Sequence, residues 1–407
     1  MEKMGRNEPC KCGSETKYKK CCMRQDEKGE RISVFSKFAV IADPRDNRGK
    51  RYMIIDLLIM VIYGILNGYD DFVNMADFLN LNKTYFQSLL LIEKTPSHDC
   101  LSDLFAMIDP KEFMEIFIEW IREVVEVKTG ATIALDGKAI RSARDKVNGG
   151  NTPYIISAYL TGIGISIGQV EVDKKSCEKS TIPTLLDIID IKGCYVTIDA
   201  IGTDENIAQK IVSKNKNGHY VLKVKGNQKT LQGEIQKYFD DNIGKTKKIQ
   251  TEVTPIECNH GREELREYYI SYDISCISNK EQWDTVQSIG MIRVYKKVKD
   301  KEEIKDQYYI MDTQIHMETF IRATRGHWNI ECGLHWRLDV IMNEDRSTNK
   351  KGNSISNLSI VRKIVFNLVR LDKTFGETTF KQKLTRYKYD FANIENLIFN
   401  VFPEVSA

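Results

Sequence analysis

The stretch between Ala131 and Val224 constrains the fold most. Runs rich in β-branched and apolar residues at 132–135, 154–160 and 165–172 read as three strands, the last two meeting at a Thr161-Gly162 turn. A helix near 182–189, a strand at 195–198, a helix at 205–214 and a strand at 220–224 follow. Asp136 closes the first run and is followed by Gly137-Lys138, while Asp199 closes the fourth and is followed by Ala200-Ile201-Gly202-Thr203. A carboxylate at a strand's C-terminal end is held by a rigid sheet, and on entering a glycine-containing turn it is well placed to hold a cation. An isolated aspartate there more often caps a helix or turn. Two of them in this strand order favour the cation site.

The remainder divides around that stretch. At 407 residues the chain is long enough for two or three domains. Residues 1–30 are charged and cysteine-rich, with too little apolar content for a core, and need a metal to order. Residues 33–127 have helical texture, with Ile54, Leu57, Leu58, Val61 and Ile62 at helical spacing, and Ser97 and Asp109 placed to cap later helices. Short alternating runs between about 241 and 315 predict a β-rich insertion in which Trp283 is a core residue. A long helix is expected from Met317 to Val340 and a second over 355–371, leaving 373–407 as a C-terminal tail. The apolar run 57–66 is too short to span a bilayer, which needs about 20 residues, and no secretory signal is recognised, so a cytoplasmic protein is expected.

The net charge of +3 offers no average sign of a polyanionic partner, but it is unevenly distributed. Residues 1–50 carry +5, 51–130 carry −7, 131–230 carry +4, 231–318 carry −4 and the remainder +5. Alternating signs suit modules with different tasks.

Cys10, Cys12, Cys21 and Cys22 lie among Lys11, Lys17, Lys19 and Lys20. Four thiolates suit a closed tetrahedral Zn²⁺ site, and the lysines offset its negative charge. At the other end, His327, Glu331 and His335 share one face at helical spacing with Trp328 beside them. Such a face is either solvated or functional.

Three resemblances follow from these motifs. The segment from Gly5 to Cys22 resembles the SEC-C zinc motif. The motifs Ala134-Leu135-Asp136-Gly137-Lys138, Ile198-Asp199-Ala200-Ile201-Gly202-Thr203, Tyr220-Val221-Leu222-Lys223-Val224-Lys225-Gly226-Asn227-Gln228, His260-Gly261-Arg262 and the segment from His327 to Val340 stand in the order of the H-repeat-associated (ISAs-type) DDE transposases of bacterial insertion sequences, which they closely resemble. The stretch from Phe38 to Ser97 looks like that family's associated N-terminal domain, and together these matches run from about residue 33 to 372. Asp204 and Cys332 depart from the family pattern, where Gln and Asn are expected, and neither change removes a carboxylate.

The resemblance implies an α/β, RNase H-like catalytic core over 128–372 with the β-rich insertion, preceded by the helical domain and the zinc motif. It implies a catalytic triad of Asp136, Asp199 and Glu331. Two Mg²⁺ (or Mn²⁺) ions about 4 Å apart would activate a water or 3′-hydroxyl and stabilise the departing oxygen of a DNA phosphodiester. Lys225, Asn227, Gln228, Arg262, Arg325 and His327 are the candidate substrate contacts, although Lys225 reads equally well as an ordinary strand-end lysine. The expected function is cleavage of insertion-sequence ends and joining of the freed 3′-OH to target DNA. The expected partners are double-stranded terminal inverted repeats and target DNA, with no membrane, and the expected assembly is a homodimer or larger on the nucleoid. Alternatives are a catalytically silent DNA-binding protein and a nuclease of the same fold that cuts without joining.

Overall fold

The computed structural model describes residues 36–46, 48, 50–141, 152–172, 178–259, 261–299, 301–399 and 405–406. The four cysteines of the zinc motif lie outside the described residues. The chain forms two compact units.

The first unit is helical. Helices α1 (Ile54–Leu66), α2 (Phe72–Leu81), α3 (Lys83–Leu90), α4 (His98–Met107) and α5 (Pro110–Val124) come from the N-terminal half. Every residue of α1 is buried, which accounts for its nearly unbroken apolar sequence. No helix among the described residues is long and apolar enough to cross a membrane. Ser97 caps α4 by accepting from the Cys100 N–H, and Asp109 caps α5, which begins with Pro110.

The same unit takes in the C-terminal part of the chain from Leu338. The helix over Ser354–Leu371 packs on α1, α4 and α5. The compact units therefore do not coincide with a domain boundary at 372. Residues 373–407, expected as a tail, contain two further helices, Phe380–Tyr389 and Phe391–Phe399. The first is closed by a Thr379/Gln382 capping box, and the second buries Ile394, Leu397 and Ile398. This apolar spacing is a helical signal in its own right.

The second unit is built on a ten-stranded sheet. Its strands are β1 (Thr132–Ala139), β2 (Tyr154–Leu160), β3 (Ile165–Val172), β4 (Tyr195–Ile198), β5 (His219–Val224), β6 (Ile249–Val253), β7 (Glu257–Asn259), β8 (Arg262–Ser271), β9 (Ser288–Val298) and β10 (Lys301–Met311). The spatial order is β3-β2-β1-β4-β5-β10-β9-β8-β6, with β7 paired to β8. Strands β1 to β3 are antiparallel neighbours, whereas β4 and β5 run parallel to β1. This is an RNase H-like core, with helices α6 (Glu178–Ile188) and α7 (Glu205–Val212) in the crossovers leading to the parallel strands. The insertion is not a separate body, because β10 pairs antiparallel with β5 and extends the same sheet. Trp283 in it is buried, as expected.

Helix α8 (Lys229–Asn242) follows β5, and α9 (Met317–Asn329) packs across β1, β4, β5 and β8. Phe320 and Ala323 of α9 join Val221, Tyr268, Ile292 and Tyr309 in one apolar cluster. The single α-helix expected to reach Val340 does not form. The chain passes into π-helical turns over Ile330–His335 and again over Arg337–Ile341. Such widened turns tend to occur where a helix must aim particular side chains.

Candidate active site

Strand pairing determines where the aspartates stand. Strands β1 and β4 are in parallel register from Thr132 opposite Tyr195 to Leu135 opposite Ile198. Asp136 and Asp199 are the next residues on each, side by side where the parallel pairing ends. Asp136 does not close its strand, contrary to the expectation from sequence. β1 runs on to Ala139, held by β2 alone, with Asp136 opposite Ser157.

Gly137 is explained by the ring beside it. A Cβ there would lie 2.3–2.6 Å from atoms of the Tyr154 ring, whose hydroxyl donates to buried Glu178 at 2.9 Å. Tyr154 is thus anchored and cannot give way. Gly137→Ala should destabilise the protein by about 1–3 kcal/mol through overpacking. The loss should show as a lower melting temperature, and Tyr154→Ala in the same chain should recover part of it.

Asp199 receives the Lys225 ammonium at 3.1 and 3.3 Å on its two oxygens. Burial raises its pKa, but the Ala200 N–H, Lys225 and Lys223 outweigh that and hold it below the ordinary value. Glu331 is pushed the other way, by burial first and then by the negative charges of Asp136 and Asp199. Glu331 therefore stands in the electrostatic field of both strand aspartates.

Histidines flank them. His335 Nε2 lies 3.3 Å from Asp136 Oδ2, yet neither nitrogen of this buried ring makes a hydrogen bond. His327 Nδ1 is 3.1 Å from Thr197 Oγ1, and burial lowers its pKa from the ordinary value despite Asp136 and Asp199. Lys223 is brought down to about 8 by burial and by Lys225, against the pull of Asp199.

The expected substrate contacts separate into three groups. Lys225, Arg262 and His327 line one cleft of about 340 Å³ with Asp199 and Glu331. Arg325 lines a neighbouring cavity and pairs with Glu257. Asn227 and Gln228 spend their amides on the carbonyls of Ala200 (2.7 Å) and Thr203 (3.3 Å), tying the turn after β5 to the turn after Asp199. Asp204, the first departure from the family pattern, caps α7 and pairs with Lys179 at 2.5 Å, and Cys332, the second, is exposed.

Lys223, Arg266, Lys296 and Lys305 of the same cleft are missed by sequence reasoning, and His335 is noticed only as part of a helix face. The signal for the first group is alternation. Arg262, Glu264, Arg266 and Tyr268 occupy every second position of β8 and share a face, and Val294 stands opposite both Arg266 and Lys305.

Among the described residues no three His, Cys, Asp or Glu side chains already stand at metal-holding spacing. The donors nevertheless suit a hard divalent cation. They are carboxylate oxygens, and their mutual repulsion at Glu331 is the condition that such an ion relieves.

A sheet of this order presenting acidic side chains beside a cation-lined cleft defines an RNase H-like protein. Residues 130–368 match the Transposase DDE domain family, residues 35–121 match the family described as DDE_Tnp_1-associated, and residues 6–24 match the SEC-C motif. The chain belongs to the DDE transposase family. It is 33% identical over 343 residues to "Putative transposase YncI" of Escherichia coli O157:H7, covering 83% of this chain and 87% of that one. It is 31% identical over 347 residues to "H repeat-associated putative transposase YhhI" of Escherichia coli K12, covering 83% and 90%.

Proposed function

We propose that this protein is a DNA transposase that nicks the ends of its element and joins each freed 3′-OH to target DNA. The observation carrying this reading is the pairing of Asp136 and Asp199 at the end of the β1–β4 parallel register, with Glu331 in their field at a cation-lined cleft. Asp136, Asp199 and Glu331 would hold divalent cations, which when bound supply an activated oxygen nucleophile and a stabilised leaving oxygen. Lys223, Lys225, Arg262 and Arg266 neutralise the phosphates laid along the cleft. Lys225 rests on Asp199 and favours its charged form, and would pass to a substrate phosphate when a metal takes its place. His327 ties the α9 wall to β4 through Thr197, while Asn227 and Gln228 brace the Asp199 turn. Cys10, Cys12, Cys21 and Cys22 would form the structural Zn²⁺ site of the SEC-C segment. Pairing two DNA ends calls for at least a dimer.

The test is a strand-transfer assay with Mg²⁺ or Mn²⁺ on duplexes ending in the inverted repeats that flank the gene. Joined products support the proposal. Cut but unjoined products mean a nuclease, and binding alone means a silent DNA-binding protein. The metal assignment has its own readout. Millimolar Mg²⁺ should raise the melting temperature of the wild type, and Glu331→Gln should abolish most of that rise. An equal rise in both proteins would remove Glu331 from the ligand set.

A further inference from the structure

The helical unit has a cavity of its own, of about 450 Å³, and all its lining residues belong to that unit. Two short motifs that the proposed chemistry leaves unused meet there. Asp43-Pro44-Arg45-Asp46 opens the segment leading into α1, and Pro96-Ser97-His98-Asp99 spans the start of α4. Arg45, Arg48, Lys50 and Arg51 line the cavity from the first segment, and Lys94 and Ser97 line it from the connection between α3 and α4.

Arg45 is the fixed part of this wall. Its guanidinium donates to the two oxygens of Asp43 at 2.9 and 2.8 Å and to the Tyr52 carbonyl at 2.8 Å, which closes the 43–52 segment on itself. Lys50 stands 3.4 Å from the same carboxylate. Arg48, Arg51 and Lys94, by contrast, are exposed and make no ion pair among the described residues. The lining contains two carboxylates, of which Asp103 is met by Lys351 at 2.5 Å and Asp46 accepts the Arg48 backbone N–H at 2.8 Å. Five cations therefore face two carboxylates, one of them already neutralised. Residues 51–130 sum to −7, so the positive hollow is a local concentration and not the average of its surroundings. Crowded like charges repel one another, and a polyanion relieves that repulsion.

We propose that the helical unit holds the sugar–phosphate backbone of DNA in this cavity, on Arg48, Arg51 and Lys94, without reading base sequence. The inference rests on the transposase reading for its ligand. Cations and hydroxyls are the groups that meet phosphate oxygens, and Tyr52, Thr95 and Ser97 place hydroxyls beside the cations. The Ser97 oxygen already accepts from the Cys100 N–H, which leaves its O–H to donate. None of the described lining residues is Asn or Gln, the side chains that pair with an adenine edge. Arg45, braced by Asp43 and Tyr52, gives the segment the shape that presents its exposed neighbours. The cavity thus anchors DNA, and sequence is read elsewhere.

The test measures binding of the full chain by fluorescence anisotropy in metal-free buffer. It uses two duplexes of equal length, one ending in the flanking inverted repeat and one of scrambled sequence. Arg48→Gln/Arg51→Gln/Lys94→Gln should bind both at least about tenfold more weakly than wild type, because three phosphate contacts are lost. Arg48→Lys/Arg51→Lys should keep most of the affinity. Lys83→Gln/Lys111→Gln/Lys381→Gln removes the same charge from exposed positions of the same unit outside the cavity, and should stay within about twofold of wild type. Both triple variants should melt with the wild type and keep its Mg²⁺-induced rise, since neither touches the core or the carboxylates. Equal losses in the two triple variants, no loss in the first, or a loss confined to the repeat-ended duplex would overturn the proposal and leave the transposase reading standing. Binding of neither duplex by the wild type would sink both.

Discussion

Asp199→Ala protein should cut and join DNA ends at least about a thousandfold more slowly than wild type, while binding the same ends as tightly or slightly more tightly. The two halves of this expectation have one cause. Asp199 is a negative charge in a cleft that also holds Lys223, Lys225, Arg262, Arg266, Lys296 and Lys305, so removing it makes the cleft more positive and frees Lys225 for phosphate. The chemical step, by contrast, would lose one carboxylate of the proposed cation-holding set. Gel-shift titration and a cleavage time course on one preparation separate the two. Full cleavage by this variant would show the triad assignment to be wrong. A parallel loss of binding and cleavage would mean that Asp199 supports the fold rather than the reaction.

DNA affinity should fall about a thousandfold between 50 and 200 mM salt, because six cleft cations in contact with phosphates would release about that many counterions. The near-neutral charge of the whole chain, taken alone, would predict a shallow dependence. The fold overrides that average by separating charge according to face. The insertion is net acidic in sequence, yet its strands turn Arg262, Arg266, Lys296 and Lys305 into the cleft against only Glu264 and Glu303, so that face is net positive. Arg293 and Asp306, at intervening positions on β9 and β10, neutralise each other at 2.8 Å. Replacing Lys296 and Lys305 together by Gln should lower the slope of log affinity against log salt by about two. An unchanged slope would exclude those strands from the DNA surface.

Much of the catalytic unit is legible in the amino-acid pattern. The expected runs at 154–160 and 165–172 match β2 and β3, and 195–198 matches β4, because each is a short apolar run bounded by turn residues. The helix near 182–189 begins earlier, at Glu178, and α8 has no counterpart among the expected elements. Such elements draw their stability from packing rather than from a strong local pattern. The π-helical turns at Ile330–His335 are illegible for the same reason. Their residues read as ordinary α-helix, and the widened turns that carry Glu331 and His335 appear only in the packed structure. Asn227 and Gln228 show the limit at the level of single residues. Their position beyond a core strand suggests substrate contacts, while the structure has them bracing the neighbouring turn.

Residue order alone establishes most of the strand and helix succession of the core, the candidate carboxylates and the family to which the chain belongs. Those properties are carried by local patterning and by motif order, both of which are independent of distant contacts. Three others follow from packing in space: the C-terminal helices complete the helical unit, the insertion extends the catalytic sheet, and a net-acidic segment offers a cationic face. The reason is register. A strand's charges alternate between two faces, and their sum along the chain averages over both, so only cross-strand pairing determines which of them meet across the cleft.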